Sequence, residues 1–280
     1  VVGRLAPTPS GRLHLGNVCA FAAAWLSARA GHGRVLLRIE DVDRTRARAA
    51  AIRTIREDLS WLGLDWDEET LPQSQRDYMA VLARLRSHAY YCSCTRAEIQ
   101  AGGRPYPGTC RDRGLTAGAL RFRLPSGVLR FVDRVHGRQS IPLDVLGDPV
   151  LVRRDGCHAY NLAVVADDLA DGVTEVVRGA DLLDQTAVQV ALWRALGGTP
   201  PTWLHAPLIL GPDGKKLAKS HRSADLGHLR QAGWSPAEVW AIVLPWLGLA
   251  PAGRIAEAVP AFTPGRIGRR TIVWQPPPVI

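Results

Sequence analysis

Two short stretches, far apart in the chain, carry residue types suited to holding a polyphosphate. The first spans residues 4–17 and ends in His14, Gly16 and Asn17. Pro7, Pro9 and Gly11 keep any regular element from running through it. The apolar, Ala-rich run that follows predicts a helix over 18–30 with Asn17 as its N-cap, and Val1 and Val2 begin a short strand before it. Strand, tight loop and helix in that order bring free backbone N–H groups and the positive end of a helix dipole beside an imidazole. An anion, most often a phosphate, suits that place, although the same pattern describes an ordinary loop with a surface histidine. The second stretch, residues 214–220, is a glycine-led loop bearing Lys215, Lys216 and Lys219. Ammonium groups act as mobile point charges toward a polyphosphate, while most basic runs of this kind are solvated turns.

The elements that must position these residues follow from hydrophobic periodicity. A strand over 34–39 and a helix over 46–63, closed by Gly63, complete a βαβ unit whose crossover should be right-handed. In open α/β sheets ligands lie beyond the carboxyl ends of the strands. Glu40, Asp41 and Asp43 fall there; as bare residues they also suit the dipole of the next helix, the role expected of Asp43. A helix is predicted over 76–88, with Met79, Leu82 and Leu85 facing inward. Short β-like runs at 120–124, 129–132 and 150–153 read as an inserted α+β subdomain. Beyond it come a helix over 160–171, a buried strand over 173–177 ending at Arg178, a helix over 181–196 and a strand over 203–210. One more helix, over 238–247, precedes a Pro-rich tail at 275–280.

Cys92, Cys94 and Cys110 lie on Gly- and Pro-rich loops, at C-x-C spacing with a distant third. Thiolates so placed can bind a tetrahedral zinc ion, which in structural sites takes four ligands. His88, Tyr106 or water could be the fourth, and three buried free thiols are the alternative. Cys19 and Cys157 read as packing or bystander residues.

With 280 residues the chain can bury a large core, and one catalytic domain with an insertion is the expected organisation. An apolar content of 46% with 22% charged residues is that of a globular protein. The net charge of +9 favours a polyanionic partner, nucleic acid first. No apolar run is long enough to span a bilayer and no signal-peptide layout opens the chain, so no membrane partner is expected. Five unevenly spaced cysteines argue against a disulfide framework, and a cytoplasmic monomer is the expectation.

His14-Leu15-Gly16-Asn17 and Lys216-Leu217-Ala218-Lys219-Ser220 resemble the HIGH and KMSKS signatures of class I aminoacyl-tRNA synthetases. Segments 4–11, 38–44 and 173–181 narrow the resemblance to the glutamyl-tRNA synthetase group, over residues 1–222. It implies an α/β, Rossmann-like catalytic domain in two halves, 1–88 and 153–222, around an inserted zinc-bearing acceptor-type subdomain at 89–152. A short helical region, 223–280, would follow. By the same resemblance His14, Gly16, Asn17, Lys216 and Lys219 handle ATP, which enters as a substrate with Mg²⁺. Arg4, Leu5, Ala6, Pro7, Thr8, Glu40, Tyr160 and Arg178 hold L-glutamate, with Glu40 on its ammonium group. Guanidinium groups suit an acidic side chain because they offer bidentate hydrogen bonds. Cys92, Cys94, Tyr106 and Cys110 match the ligands of one structural zinc. Asn17 departs from the usual second histidine, and Ala218 from the usual serine.

The stretch after Ser220 is too short for the helical anticodon-binding domain of a full glutamyl-tRNA synthetase. The chain is therefore similar to the truncated paralogue family of glutamyl-queuosine tRNA(Asp) synthetases. The resemblance implies tRNA-independent activation of glutamate and its transfer to the cyclopentene diol of queuosine in tRNA(Asp). A shortened synthetase acting on tRNA(Glu) and a non-catalytic RNA-binding paralogue are the alternatives.

Overall fold

The computed structural model of the chain describes residues 1–45, 47–101, 105–217 and 224–275. It opens with β1 (Val2–Leu5), α1 (Leu15–Ala30), β2 (Arg34–Leu37), α2 (Ala49–Trp61) and β3 (Glu68–Glu69). These strands form one parallel sheet, with β2 in the centre and Val2 level with Arg34. The Ala-rich composition of α1 has a packing reason. A side chain added at Gly3 would stand 3.3 Å from Ala28 Cβ, so helix and strand touch almost backbone to backbone. Residues from Val18 to Ala28 are accordingly buried over most of the helix circumference.

Next come α3 (Met79–Arg84), β4 (Ala89–Cys92), α4 (Arg96–Ala101), β5 (Ala119–Phe122), β6 (Val128–Asp133), β7 (Gly137–Pro142) and β8 (Val150–Val152). Strands β4, β5 and β8 make a small antiparallel sheet. The β6–β7 hairpin leaves it: Asp133 pairs in parallel with Trp203, in the sheet of the second half of the chain. Part of the stretch expected to be the insertion thus extends the sheet of the second half. Its second strand carries Gly, Gln and Ser where the eye looks for an apolar run.

The remainder contains α5 (Tyr160–Ala170), β9 (Glu175–Gly179), α6 (Gln185–Ala195), β10 (Thr202–Ala206), β11 (Ile209–Leu210), α7 (Leu226–Gln231), α8 (Pro236–Trp246) and β12 (Ile272–Val273). The second sheet runs β7-β6-β10-β9, and β9 and β10 are parallel. It meets the first along β1 and β9. There Thr174 N donates to Val2 O at 3.0 Å, and the Arg4 side chain donates to Val177 O at 3.0 Å. No strand ladder joins β1 to β9 among the described residues, and the crevice at their carboxyl ends is the switch point where open α/β sheets take ligands.

Several expected boundaries shift for local reasons. Helix α1 begins at Leu15, because His14 rather than Asn17 caps it. Helix α2 begins at Ala49 and has no acid in its first turn. Asp43 therefore serves no helix dipole; it accepts from Thr45 and pairs with Arg153 at 3.1 Å. The helix expected over 76–88 is shorter and ends in a 3-10 turn, and Met79 is 65% exposed instead of facing the core. A 3-10 turn at Ala180–Leu182 precedes α6, and Pro207 separates β10 from β11. Helix α7, capped by Asp225, was not expected from its short and mixed sequence. Helix α8 has a Ser235–Glu238 capping box and Pro236 at its start, and its buried Trp240 donates to Leu62 O at 3.2 Å. No described helix is long and apolar enough to cross a membrane.

Candidate active site

A cavity of about 520 Å³ opens at the β1/β9 crevice. One side is lined by Arg4, Ala6, Pro7, Thr8, Glu40, Tyr160 and Arg178, the other by His14, Gly16, Asn17 and Lys216. The residues expected to hold an amino acid and those expected to hold phosphates share one space. Leu5 does not line it; the side chain is fully buried in the core, as alternation along β1 demands when Arg4 faces the crevice. Lys219, with Ala218 and Ser220, lies outside the described residues.

His14 and Asn17 cap α1 reciprocally. Asn17 N–H donates to His14 Nδ1 at 3.3 Å, and His14 N–H donates to Asn17 Oδ1 at 3.1 Å. A nitrogen that accepts cannot carry the proton, so in the neutral ring Nε2 carries it. The backbone N–H of residue 17 therefore orients the imidazole, while the Asn17 side chain closes the cap on the His14 backbone. Gly16 leaves room for that ring: a Cβ there would lie 3.1 Å from two of its atoms. Across the mouth, Lys216 forms an ion pair with Asp181.

The opposite wall is a buried network of charges. Arg4 Nε meets Asp168 Oδ1 at 3.3 Å, and Arg38 meets the same carboxylate at 2.7 Å. Arg38 also reaches Glu40 at 3.3 Å and Asp171 at 3.1 Å. Burial opposes ionisation of Asp168, but Arg38 and Arg4 outweigh it and hold its carboxyl below the usual range. Glu40 moves the other way: burial raises its pKa, and Arg38 and Arg4 offset this only in part.

Arg178 differs from Arg4. Its Nε donates to His205 Nε2 at 3.1 Å, Nη1 to Gln189 Oε1 at 2.7 Å, and Nη2 to Thr186 Oγ1 at 2.7 Å and Leu182 O at 3.3 Å. Each partner is neutral. Burial lowers the pKa of this guanidinium, as expected for a cation held without an adjacent carboxylate.

Sequence reasoning overlooked Asp168, Arg38, His205, Asp133, Thr186 and Gln189. The clearest missed signals were an acidic pair, Asp167–Asp168, inside an otherwise apolar helix and a histidine inside the apolar strand β10. Buried charged groups are rare unless paired.

Cys92, Cys94 and Cys110 form a second centre, their sulfurs all within 4.8 Å of one another. The Cys94 and Cys110 sulfurs are 3.6 Å apart; thiolates on a tetrahedral zinc at 2.3 Å would stand about 3.8 Å apart. Tyr106 is buried beside them, and its hydroxyl accepts from Cys110 N–H at 2.7 Å. Burial works against ionisation of Cys110, yet hydrogen bonds from Tyr106, Ser93 and Cys94 bring it down to about 6. Cys94 moves the other way, pushed up to about 11 by burial and by the neighbouring Cys110 and Cys92, and burial raises Tyr106 as well; the spacing of the three sulfurs is what fits zinc. Cys19 is a packing residue, fully buried, with a pKa raised by burial to about 12.

A parallel sheet with its phosphate-suited helix cap and lysine loop on one cavity defines a class I synthetase catalytic domain. The family described as tRNA synthetases class I (E and Q), catalytic domain, matches residues 1–105 and 111–254. Glutamyl-Q tRNA(Asp) synthetase from Symbiobacterium thermophilum is 42% identical over 96% of this chain and 94% of its own. The protein of that name from Pseudomonas aeruginosa is 46% identical over 92% and 88%. The chain belongs to the glutamyl-Q tRNA(Asp) synthetase family of class I synthetases. Among solved structures, glutamate-tRNA synthetase from Elizabethkingia anophelis superposes with a TM-score of 0.83 at 28% identity, covering 96% of this chain and 68% of that one. The enzyme from Elizabethkingia meningosepticum, solved with its amino acid, gives 0.83 at 26% identity, covering 99% and 67%.

Proposed function

We propose that the chain activates L-glutamate with ATP and transfers the glutamyl group to the cyclopentene diol of queuosine in the anticodon of tRNA(Asp). One observation carries the activation step: two guanidinium groups, a carboxylate and a phenol converge on one end of a cavity whose other end is a capped helix N-terminus with a lysine at its mouth. Arg178 and Arg4 receive the side-chain carboxylate and Glu40 the ammonium group, with Tyr160 closing the pocket. That leaves the α-carboxylate directed toward the nucleotide. Ala20, Phe21 and Leu208 supply an apolar wall for the base.

An α-carboxylate oxygen attacks the α-phosphorus of ATP, and the bond to the bridging oxygen of pyrophosphate breaks. Little covalent work falls to the protein, so positioning and charge stabilisation carry the rate. His14 donates from Nε2 to the phosphate as charge builds. Lys216 exchanges Asp181 for phosphate oxygens, and Lys219 stabilises the leaving pyrophosphate together with the Mg²⁺ that accompanies ATP. A ribose-like or cyclopentene hydroxyl then attacks the acyl carbonyl and AMP leaves. An adjoining cavity of about 320 Å³ shares Thr8, Glu40 and Tyr160 with the first and offers the acceptor its approach.

Cys92, Cys94 and Cys110, with Tyr106 as fourth ligand, would hold a zinc ion, which would supply a structural cross-link and no chemistry to the reaction. The side chains that define the glutamate pocket are fixed by bonds within the protein, so activation needs no RNA. The test offers labelled glutamate and ATP to a queuosine-containing anticodon stem-loop and to intact tRNA(Glu). Label on the stem-loop, lost when guanosine replaces queuosine, supports the reading. Label confined to the 3′ end of tRNA(Glu) overturns it.

A further inference from the structure

Arg178 is a buried cation whose hydrogen-bond partners are all uncharged, and His205 is the partner of its Nε. That ring is fully buried. Its Nδ1 lies 2.7 Å from Asp133 Oδ2. The other Asp133 oxygen, Oδ1, accepts the backbone N–H groups of Val135 at 2.9 Å and His136 at 2.8 Å. Because Nε2 accepts from Arg178, the proton of the neutral ring must sit on Nδ1, where it is donated to Asp133. The polarity of the whole chain of bonds is therefore set: backbone amides orient Asp133, Asp133 orients the ring, and the ring presents a lone pair to the guanidinium.

We propose that His205 and Asp133 are positioning residues for Arg178, placing a neutral acceptor where a carboxylate would otherwise sit and so keeping the guanidinium charge for the side-chain carboxylate of the amino acid. The contrast with Arg4 supports this. Arg4 is held directly by Asp168 and its charge is already answered within the protein, whereas the negative charge behind Arg178 stands one ring further away. A direct carboxylate would orient Arg178 equally well but would compete with the substrate for it. The inference rests on glutamate being the amino acid bound in this pocket, and it assigns the discrimination between an acid and its amide chiefly to Arg178. Asp133 comes from β6, the strand that crosses from the insertion stretch into the sheet of the second half, which gives that crossing a functional reason.

Asp133→Asn tests the polarity with little change of shape. Its amide oxygen must take the Oδ1 place to satisfy two backbone N–H groups, so the amide nitrogen faces Nδ1 and the ring proton is forced to Nε2. That Nε2–H can be taken by Thr186 Oγ1, 3.2 Å away, and the Nε–H of Arg178 loses its acceptor. His205→Ala removes the acceptor, and His205→Gln restores an amide that can donate to Asp133 and accept from Arg178. Nitrogen-15 NMR of the histidine rings should show Nδ1–H for His205 in the unaltered chain and Nε2–H in Asp133→Asn. In ATP–pyrophosphate exchange, KM for glutamate should rise about tenfold or more in Asp133→Asn and His205→Ala. KM for ATP should stay within about twofold, and His205→Gln should recover most of the loss. Melting curves establish that each variant is folded. An unchanged ring tautomer in Asp133→Asn, an unchanged KM for glutamate in the folded variants, or a parallel rise in KM for ATP overturns the proposal. Exchange by the unaltered chain judges the glutamate reading separately: if glutamate is inert there, the NMR tautomers still decide the polarity of the pair.

Discussion

Arg4 and Asp168, 164 positions apart in sequence, meet as a buried ion pair at 3.3 Å on the wall of the cavity. Asp168 meets Arg38 as well, a cation it shares with Glu40 and Asp171, so the same carboxylate contacts two buried guanidinium groups. Asp168→Asn should therefore destabilise the fold by about 3–5 kcal/mol, the range for removing one partner of a buried pair. Chemical denaturation measures the loss, and the surviving folded protein should show a raised KM for glutamate because Arg4 loses its anchor.

Substrate choice follows from the guanidinium groups. A glutamine amide in place of a carboxylate leaves the Arg178 charge unanswered in a pocket shielded from water. That costs on the order of 2–5 kcal/mol. Exchange with glutamine should accordingly be slower by orders of magnitude, and comparable rates with the two amino acids would falsify the assignment. Arg178→Gln should abolish most glutamate exchange.

Gly16→Ala separates stability from activity. Alanine is the better helix former, by at most about 0.8–1 kcal/mol, but moving the His14 ring weakens the cap it forms on Asn17 N–H, worth about 0.5–2 kcal/mol, so stability should change little. The added Cβ, 3.1 Å from the His14 ring, would displace the imidazole by a few tenths of an ångström. Exchange should fall by about tenfold, since small misplacements of a catalytic group are expensive in rate. A little-changed melting temperature with undiminished exchange counts against a role for the His14 ring.

Removal of metal should affect the two half-reactions unequally. The thiol cluster joins loops outside the reaction cavity, so Cys94→Ser or chelation should lower the melting temperature and RNA transfer more than pyrophosphate exchange. Metal analysis of the intact protein should find about one zinc per chain. Loss of exchange with the fold preserved would move the metal into the reaction.

His205 gives stability a defined pH dependence. Burial, its leading influence, lowers its pKa below the ordinary value, although Asp133 pulls the other way. Between the lowered folded value and the ordinary value of about 6.5, the unfolded chain holds a proton that the folded chain does not. Stability therefore rises with pH through that window and falls as pH drops below about 6.5. His205→Gln removes this proton linkage. Its stability, followed by denaturant midpoints, should decline less than that of the unaltered chain between about pH 7 and pH 5.

What the amino-acid sequence determined by itself is local. Prolines and a glycine break the chain before an apolar Ala-rich run, and that alone places His14 and Gly16 at a helix start beside a strand end. Arg178 closes an apolar run, so its place at the end of β9 was legible too, as was the cysteine spacing. Even locally, side-chain competition altered the detail: His14 took the cap from Asn17 because its Nδ1 reaches the third backbone N–H of the helix. Only the tertiary structure decided how charge is distributed. Arg4 and Arg178 look alike in sequence, yet one is answered by Asp168 from α5 and the other by a neutral histidine from β10, itself oriented by Asp133 from β6. Propensity and periodicity act over a few neighbouring residues. The ionisation and orientation of a buried group depend on whatever packing brings within a few ångströms, and those partners come from strands and helices far away in the chain.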